Sequence, residues 1–317
     1  MSSSATASRS YDLPVRIVDR LIATSLPVVP RPVVRRFADR YMAGERLDDA
    51  IATVGRLNRL GASATVDVLG EFVRDREQAA HTVEQYLEAL DAIARTGLDA
   101  NVSVKLTAVG LEIEPALALG NARQIVQSAA SLGNFVRIDM EHSAVTEETL
   151  DVYTTLRREG FDNVGIVLQS CMRRSVSDVR SMAKLKPRVR LVKGIYVEPP
   201  SIAYTTPAQI NASFERLIEE LADIGSHIAA ATHDEQLIAA MQRVARERSL
   251  SRDMYEFQML LGVREGLRDR LLASGERVRI YVPYGDAWYG YSIRRLKENP
   301  SIAGYVAQDV ARRLVRR

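Results

Sequence analysis

The segment WYGYSIRRLKENP (288–300) sets Tyr291, Arg294, Arg295 and Glu298 at positions zero, three, four and seven of one run. On a helix these side chains share a face. Two adjacent guanidiniums so placed can hold a carboxylate through charge-assisted, bidentate hydrogen bonds, with Glu298 steadying one of them. The same spacing also describes a solvent-facing Arg–Glu ladder of little energetic weight. Lys105 is the one cation of the apolar run ANVSVKLT (100–107), so it either snorkels outward or meets an anion. Asp139, in FVRIDME (135–141), can orient a proton or pair with Arg137 or Lys105, and His233 can serve as ligand, base or structural donor. Asp139, Glu141 and His142 are close enough in sequence to suggest a metal set, but the chain has only four histidines and no HxH spacing, so no metal is expected. A hydrolytic triad lacks its GxSxG elbow, and Cys171 reads as an ordinary thiol.

Eight apolar, often β-branched runs must position these groups: 62–70, 100–107, 135–141, 164–169, 189–196, 227–232, 255–260 and 277–283. The stretches between them have helical periodicity, and the repeat of 25 to 38 residues is the length of a strand, a helix and two loops. Eight such units predict an α/β fold, a (βα)8 barrel, and such barrels carry their chemistry at the C-terminal ends of the strands. Polar residues stand there in every run: Asp67 and Glu71, Lys105 and Thr107, Asp139 and Glu141, Gln169, Arg190 and Lys193, Thr232 and His233, Glu256 and Gln258, Tyr281 and Tyr284. No GxGxxG or GxxxxGK[ST] follows any strand, which removes the nucleotide-binding fingerprints of an open sheet.

Residues 1–10 read as a disordered leader, 11–61 as an N-terminal helical segment with a last helix stopping at Gly61, and 62–317 as the barrel with C-terminal helices. With 317 residues, 46% of them hydrophobic, 26% charged and a net charge of +3, the chain can build a large core and has no basic cluster for nucleic acid. A single cysteine excludes an internal disulfide, and no secretory signal or spanning run is present, so a cytoplasmic location is expected.

The ordered strings DVLGE, SVKLT, IDME, VLQ, RLVKGIY, ATHD, EFQMLLG, IYVPYG and GYSIRRLKENP, one on each strand and one on the last helix, closely resemble the proline dehydrogenase family. The resemblance implies a distorted (βα)8 barrel, non-covalent FAD and oxidation of L-proline to Δ1-pyrroline-5-carboxylate, with a hydride passing from the δ-carbon to the flavin. It places Asp139 and Arg190 at the catalytic centre, and gives the substrate carboxylate to Lys105, Arg294 and Arg295. Tyr281 and Tyr291, with Tyr196 nearby, would wall the ring, Tyr281 favouring proline over hydroxyproline. The flavin contacts it implies are Asp139, Met140, Gln169, Arg190, Lys193, Gly194, Thr232, His233 and Glu256. In that set Lys193 and His233 balance pyrophosphate charge, and Glu256 accepts from sugar hydroxyls. Glu71 would pair with Arg294 to close a lid. His142-Ser143 and Ile195 depart from the family pattern. A membrane quinone as electron acceptor, peripheral contact with the inner membrane face and a separate pyrroline-5-carboxylate dehydrogenase downstream are implied as well.

Overall fold

The computed structural model describes residues 40–70 and 73–289, together with Arg35, Ala38, Tyr291 and Ser292. The leader, most of the first two N-terminal helices, Glu71, Arg294, Arg295 and Glu298 lie outside the described residues.

Eight parallel strands close in sequence order: β1 (Ser63–Val68), β2 (Ala100–Val104), β3 (Val136–Ile138), β4 (Val164–Gln169), β5 (Arg188–Val192), β6 (His227–Ala231), β7 (Tyr255–Leu260) and β8 (Val278–Tyr284). The seam pairs β8 with β1 in parallel register, Tyr281 beside Thr65 and Pro283 beside Asp67. Before the barrel comes α1 (Leu47–Arg59), and between strands run α2 (Arg76–Thr96), α3 (Pro115–Ser131), α4 (Thr146–Arg158), α5 (Ser175–Ser181), α6 (Pro207–Asp223), α7 (Glu235–Glu247) and α8 (Glu265–Ala273). The helices form because each repeat carries its own start and stop. Asp75 caps α2 through Gln78 N at 2.8 Å, and Gly97 ends it in the left-handed region at φ 63°. Pro207 occupies the first turn of α6 behind Thr206.

Alternate strand residues divide between two environments. One set, including Val66, Val102, Ile138, Ile166, Leu191 and Ile280, joins the helices in a continuous apolar core. The other set faces the lumen, where apolar branched residues are usual in such barrels. Here it is polar: Thr65 and Asp67, Asn101 and Ser103, Arg137, Gln169, Arg190, His227, Glu256 and Gln258, Arg279. The seam itself is covered by α1, which lies against β8 and β1, so a helix preceding the barrel shields the junction of its last and first strands.

The chain divides into two units, residues 43–285 and residues 1–42 with 286–317. Within the second unit, the Arg35 guanidinium lies 4.8 Å from the Trp288 ring centroid, Ser292 Oγ donates to Trp288 O at 2.7 Å, and Tyr291 is buried.

Candidate active site

The C-terminal end of the lumen gathers one connected polar cluster from six strands. Asp139, the residue after β3, stands at its centre. Its Oδ1 accepts from Ser103 Oγ at 2.7 Å and from Arg190 Nη1 at 2.7 Å, and its Oδ2 accepts from Tyr281 OH at 2.9 Å. Lys105 Nζ donates to Asp67 Oδ1 at 2.7 Å and to Tyr281 OH at 3.3 Å, and lies 3.7 Å from Asp139 Oδ2. Arg190 Nε donates to Gln258 Oε1 at 2.6 Å, and Gln258 Nε2 passes the chain on to Glu256 at 2.6 Å. Strand geometry explains the convergence: these residues end inward-facing rows on β1, β2, β3, β5, β7 and β8, and Asp67 sits beside Ser103 in register.

Burial alone would raise the Asp139 carboxyl, but the Arg190 and Lys105 charges and the Ser103 and Tyr281 hydrogen bonds outweigh it and hold the pKa below the ordinary value. Asp139 is therefore an anion at neutral pH. Two carboxylates, Asp67 and Asp139, balance two cations, Lys105 and Arg190, so the cluster as a whole is neutral. Among the described residues Arg190 Nη2 is buried without a hydrogen-bond partner. An orphaned guanidinium nitrogen in a polar barrel mouth is costly unless an acceptor reaches it.

Around this centre the loops are fastened by side chains. Glu141 accepts from Thr107 Oγ1 at 2.6 Å and Thr107 N at 3.1 Å, tying the end of β3 to the turn after Lys105. Gln169 Nε2 donates to Glu141 O at 2.8 Å, fixing the segment that contains Met140, which is itself buried. Ser143 N and Oγ donate to the Glu198 carboxylate at 2.7 and 2.6 Å, joining the loops after β3 and β5, with the His142 and Tyr196 rings edge to face at 6.1 Å. The unusual His142-Ser143 pair thus serves a loop-to-loop clasp. Asp139, Glu141 and His142 diverge: His142 turns to Glu112 at 3.5 Å.

Strand β5 ends at Val192, short of the expected residue 196, because Gly194 turns at φ 102° and leaves Ile195 exposed. A Cβ on Gly194 would collide with Cys171 Sγ and approach Gln169 Oε1 at 2.8 Å, so packing as well as backbone angle requires glycine there. Lys193 Nζ donates to Asp234 Oδ2 at 2.7 Å, while Asp234 caps α7 through Gln236 N and its own amide donates to Thr232 Oγ1 at 3.1 Å. Burial pushes the Cys171 thiol up to about 11, the behaviour of an inert thiol.

Two of the residues expected at the flavin are engaged within the protein. His233 Nε2 accepts from Leu260 N at 3.1 Å, which ties the residue after β6 to the end of β7. Glu256 lies two residues deeper in β7 than Gln258, and its carboxylate is taken by Arg279 Nε at 3.0 and 3.2 Å and by Gln258, which leaves it lining the opposite end of the lumen. Conversely, Ser103, which the sequence reading does not single out, and Asp67, Gln258 and Glu141, which it names only as polar strand ends or a weighed metal candidate, organise the cluster. Strand parity carries the signal for the first three, since Ser103 is two residues before Lys105, Gln258 two after Glu256, and Asp67 the penultimate residue of β1.

Comparison with known proteins bears on what such a mouth does. Residues 50–308 match the family model described as proline dehydrogenase. Proline dehydrogenase 1 of Bacillus subtilis (strain 168) is 37% identical over 276 residues, covering 87% of this chain and 91% of that protein. The proline dehydrogenase of Deinococcus radiodurans is 36% identical over 307 residues, covering 93% of this chain and 99% of the relative. Bifunctional protein PutA of Escherichia coli is 25% identical over 344 residues, and the match takes up 26% of its length. Among solved structures, proline utilization A from Bdellovibrio bacteriovorus, inactivated by N-propargylglycine, superposes with a TM-score of 0.78 at 27% identity over 83% of this chain, which spans about a third of that protein (32%). A family match across most of the length, on a closed barrel with polar strand ends, makes the chain a member of the proline dehydrogenase family.

Proposed function

We propose that the barrel mouth oxidises L-proline to Δ1-pyrroline-5-carboxylate with a non-covalently bound FAD and passes the electrons to a quinone-type acceptor. The observation that carries the reading is the Asp139–Arg190 pair with Arg190 Nη2 buried and, among the described residues, unpartnered, a donor fixed in place and available to one further acceptor. A flavin fits that donor, because its ring edge offers hydrogen-bond acceptors and, when bound, it supplies a two-electron hydride acceptor. Arg190, Lys193, His233 and Thr232 are the residues to hold it, with Asp139, Met140, Gln169 and Gly194 shaping the wall through the hydrogen bonds and packing described above. Glu256 has no part in that contact.

The protein's own groups then do three things. Asp139 stays ionised and fixes the Arg190 fork and the Tyr281 hydroxyl by hydrogen bonds, so both are oriented before substrate arrives. Tyr281 offers its ring as a wall beside Arg190, whose guanidinium carbon lies 5.2 Å from the ring centroid. Lys105 brings a cation to the mouth, but Asp67 already balances it. A substrate carboxylate therefore needs further positive charge, the part the family resemblance gives to Arg294 and Arg295. The match to a quarter of a bifunctional relative fits a division of labour in which a separate pyrroline-5-carboxylate dehydrogenase consumes the product. Among the described residues no helix is long and apolar enough to cross a membrane, so a quinone would be met by peripheral contact.

The visible spectrum of the purified protein, before and after anaerobic addition of L-proline, tests the reading. A yellow protein that bleaches is expected. A yellow protein that proline leaves unchanged contradicts the substrate, and one that stays colourless after FAD is supplied contradicts the cofactor.

A further inference from the structure

The N-terminal end of the lumen, remote in sequence register from the catalytic mouth, collects basic side chains from three strands. Arg137 of β3, Arg188 at the start of β5 and Arg277 and Arg279 at the start of β8 line a cavity of about 430 Å³, with His227 of β6, Asn101, Asn134, Asp99 and Glu256 in the same wall. Four guanidiniums thus meet two carboxylates. Glu256 is committed to Arg279, and Asp99 lies 3.9 Å from Arg279, so Arg137, Arg188 and Arg277 make no ion pair among the described residues.

The arrangement is built and not incidental. Arg137 is 2% exposed; its Nη1 donates to Ile166 O at 3.3 Å and to Arg188 O, while its Nε is buried without a partner. The Phe135 ring centroid lies 4.9 Å from the Arg137 guanidinium carbon and 5.0 Å from that of Arg188, so one aromatic ring accommodates two like charges. Gly165 on β4 clears the path, since a Cβ there would collide with Arg137 Nη1. Burial, and after it the neighbouring Arg190 and Arg188 charges, bring the Arg137 pKa down to about 9.

We infer that this cavity binds a phosphate-class dianion, inorganic phosphate or a compact phosphate monoester, through the guanidiniums of Arg137, Arg188 and Arg277. Donors that arrive from three strands around a cavity suit a tetrahedral oxyanion, whose oxygens accept in several directions. A planar carboxylate is satisfied by a single fork. The volume leaves room for a small organic group beside the phosphate.

His227 reports on the site without having to bind. Burial holds its pKa down to about 4, Arg188, Arg137 and Arg277 push the same way, and the Glu256 and Asp253 carboxylates pull it up. An anion held among the three arginines opposes their effect, so its binding raises the His227 pKa.

The test titrates the flavin-loaded enzyme with inorganic phosphate by calorimetry, against sodium chloride at matched ionic strength, and follows the His227 ring signals by NMR, assigned by difference with H227N. Saturable binding is expected, with an upward shift of the His227 pKa and affinity about 10-fold weaker in R188Q and in R277Q, one charge-assisted contact each. Arg188 and Arg277 are exposed, so neither variant threatens folding. Glycerol phosphate binding more tightly than phosphate assigns the site to an ester, and the reverse order assigns it to the free ion. A phosphate response equal to that of chloride, wild-type affinity in both variants, or tighter binding of malonate than of either phosphate would overturn the proposal.

Discussion

Both ends of the barrel lumen are lined by charged side chains on alternate strand positions, but they are wired differently. At the C-terminal end Lys105 meets Asp67 and Arg190 meets Asp139, each at 2.7 Å. At the N-terminal end, among the described residues of the cavity wall, Arg279 alone has such a partner, in Glu256. The first arrangement fixes rotamers and leaves a single donor, Arg190 Nη2, to be used by what binds. The second concentrates unpaired positive charge around an open volume. Charge pairing thus separates an end preorganised for chemistry from an end suited to holding an anion, and the two are joined by the chain Arg190–Gln258–Glu256–Arg279 through the middle.

Breaking the C-terminal pairing has the largest effect. Asp139→Ala strands Arg190 in a buried site, and removing one partner of a buried ion pair costs about 3–5 kcal/mol. Urea unfolding should show that loss, and kcat/KM for proline should fall more than about 100-fold; stability within about 1 kcal/mol of the parent would mean that the pairing is not structural.

At the other end, the Glu256 carboxyl would be raised by burial, but Arg279, His227 and the Gln258 hydrogen bond bring its pKa from 4.5 to about 2. The depressed folded value means that its stabilisation is fully present above pH 4.5 and is lost as pH falls toward 2, a contribution of about 3 kcal/mol. The stability difference between the parent and Glu256→Gln should therefore be widest near neutrality and narrow through that window. A difference that does not change with pH would show that Glu256 acts only by packing.

His227 sharpens the contrast further. Its pKa is about 4 in the fold against 6.5 unfolded, so protonation favours the unfolded chain and stability is lost as pH falls from 6.5 to 4, by about 3 kcal/mol at the acid end and nothing at neutrality. Urea midpoints of His227→Asn should be flatter with pH across that interval; an unchanged acid slope would place the loss elsewhere.

Tyr281→Phe is the mildest probe, since it removes one donor to Asp139 and one acceptor for Lys105 while keeping the ring. A loss of about 1 kcal/mol in transition-state stabilisation, roughly 5-fold in kcat/KM, is expected, with the acid limb of the pH profile moved upward because a hydrogen bond that holds the Asp139 pKa down has gone. An unmoved acid limb would separate that limb from Asp139.

The strands and the fold class were legible because eight apolar runs recur at barrel spacing, and all eight appear as strands. Strand ends were less so. The run RLVKGIY continues apolar past Lys193, and only the positive φ of Gly194 stops β5 at Val192. Asp139, Arg190, Lys105 and Tyr281 were expected together and do meet, whereas the depth of Glu256 was hidden: a shift of two residues moves a side chain by about 7 Å along the same face, and composition does not record it. The basic cavity was similarly masked, because Arg137, Arg188, Arg277 and Arg279 look like scattered surface charge until strand parity turns them inward around one opening.

The most direct measurement is the rate of anaerobic flavin bleaching by L-proline in the parent and in Arg190→Gln, each loaded with FAD and matched for flavin content. Rapid bleaching of the parent and a rate at least about 100-fold lower in the variant is the predicted result. A parent that proline does not bleach, or a variant that bleaches as fast, would contradict the assignment of the Asp139–Arg190 end of the lumen as the site of proline oxidation.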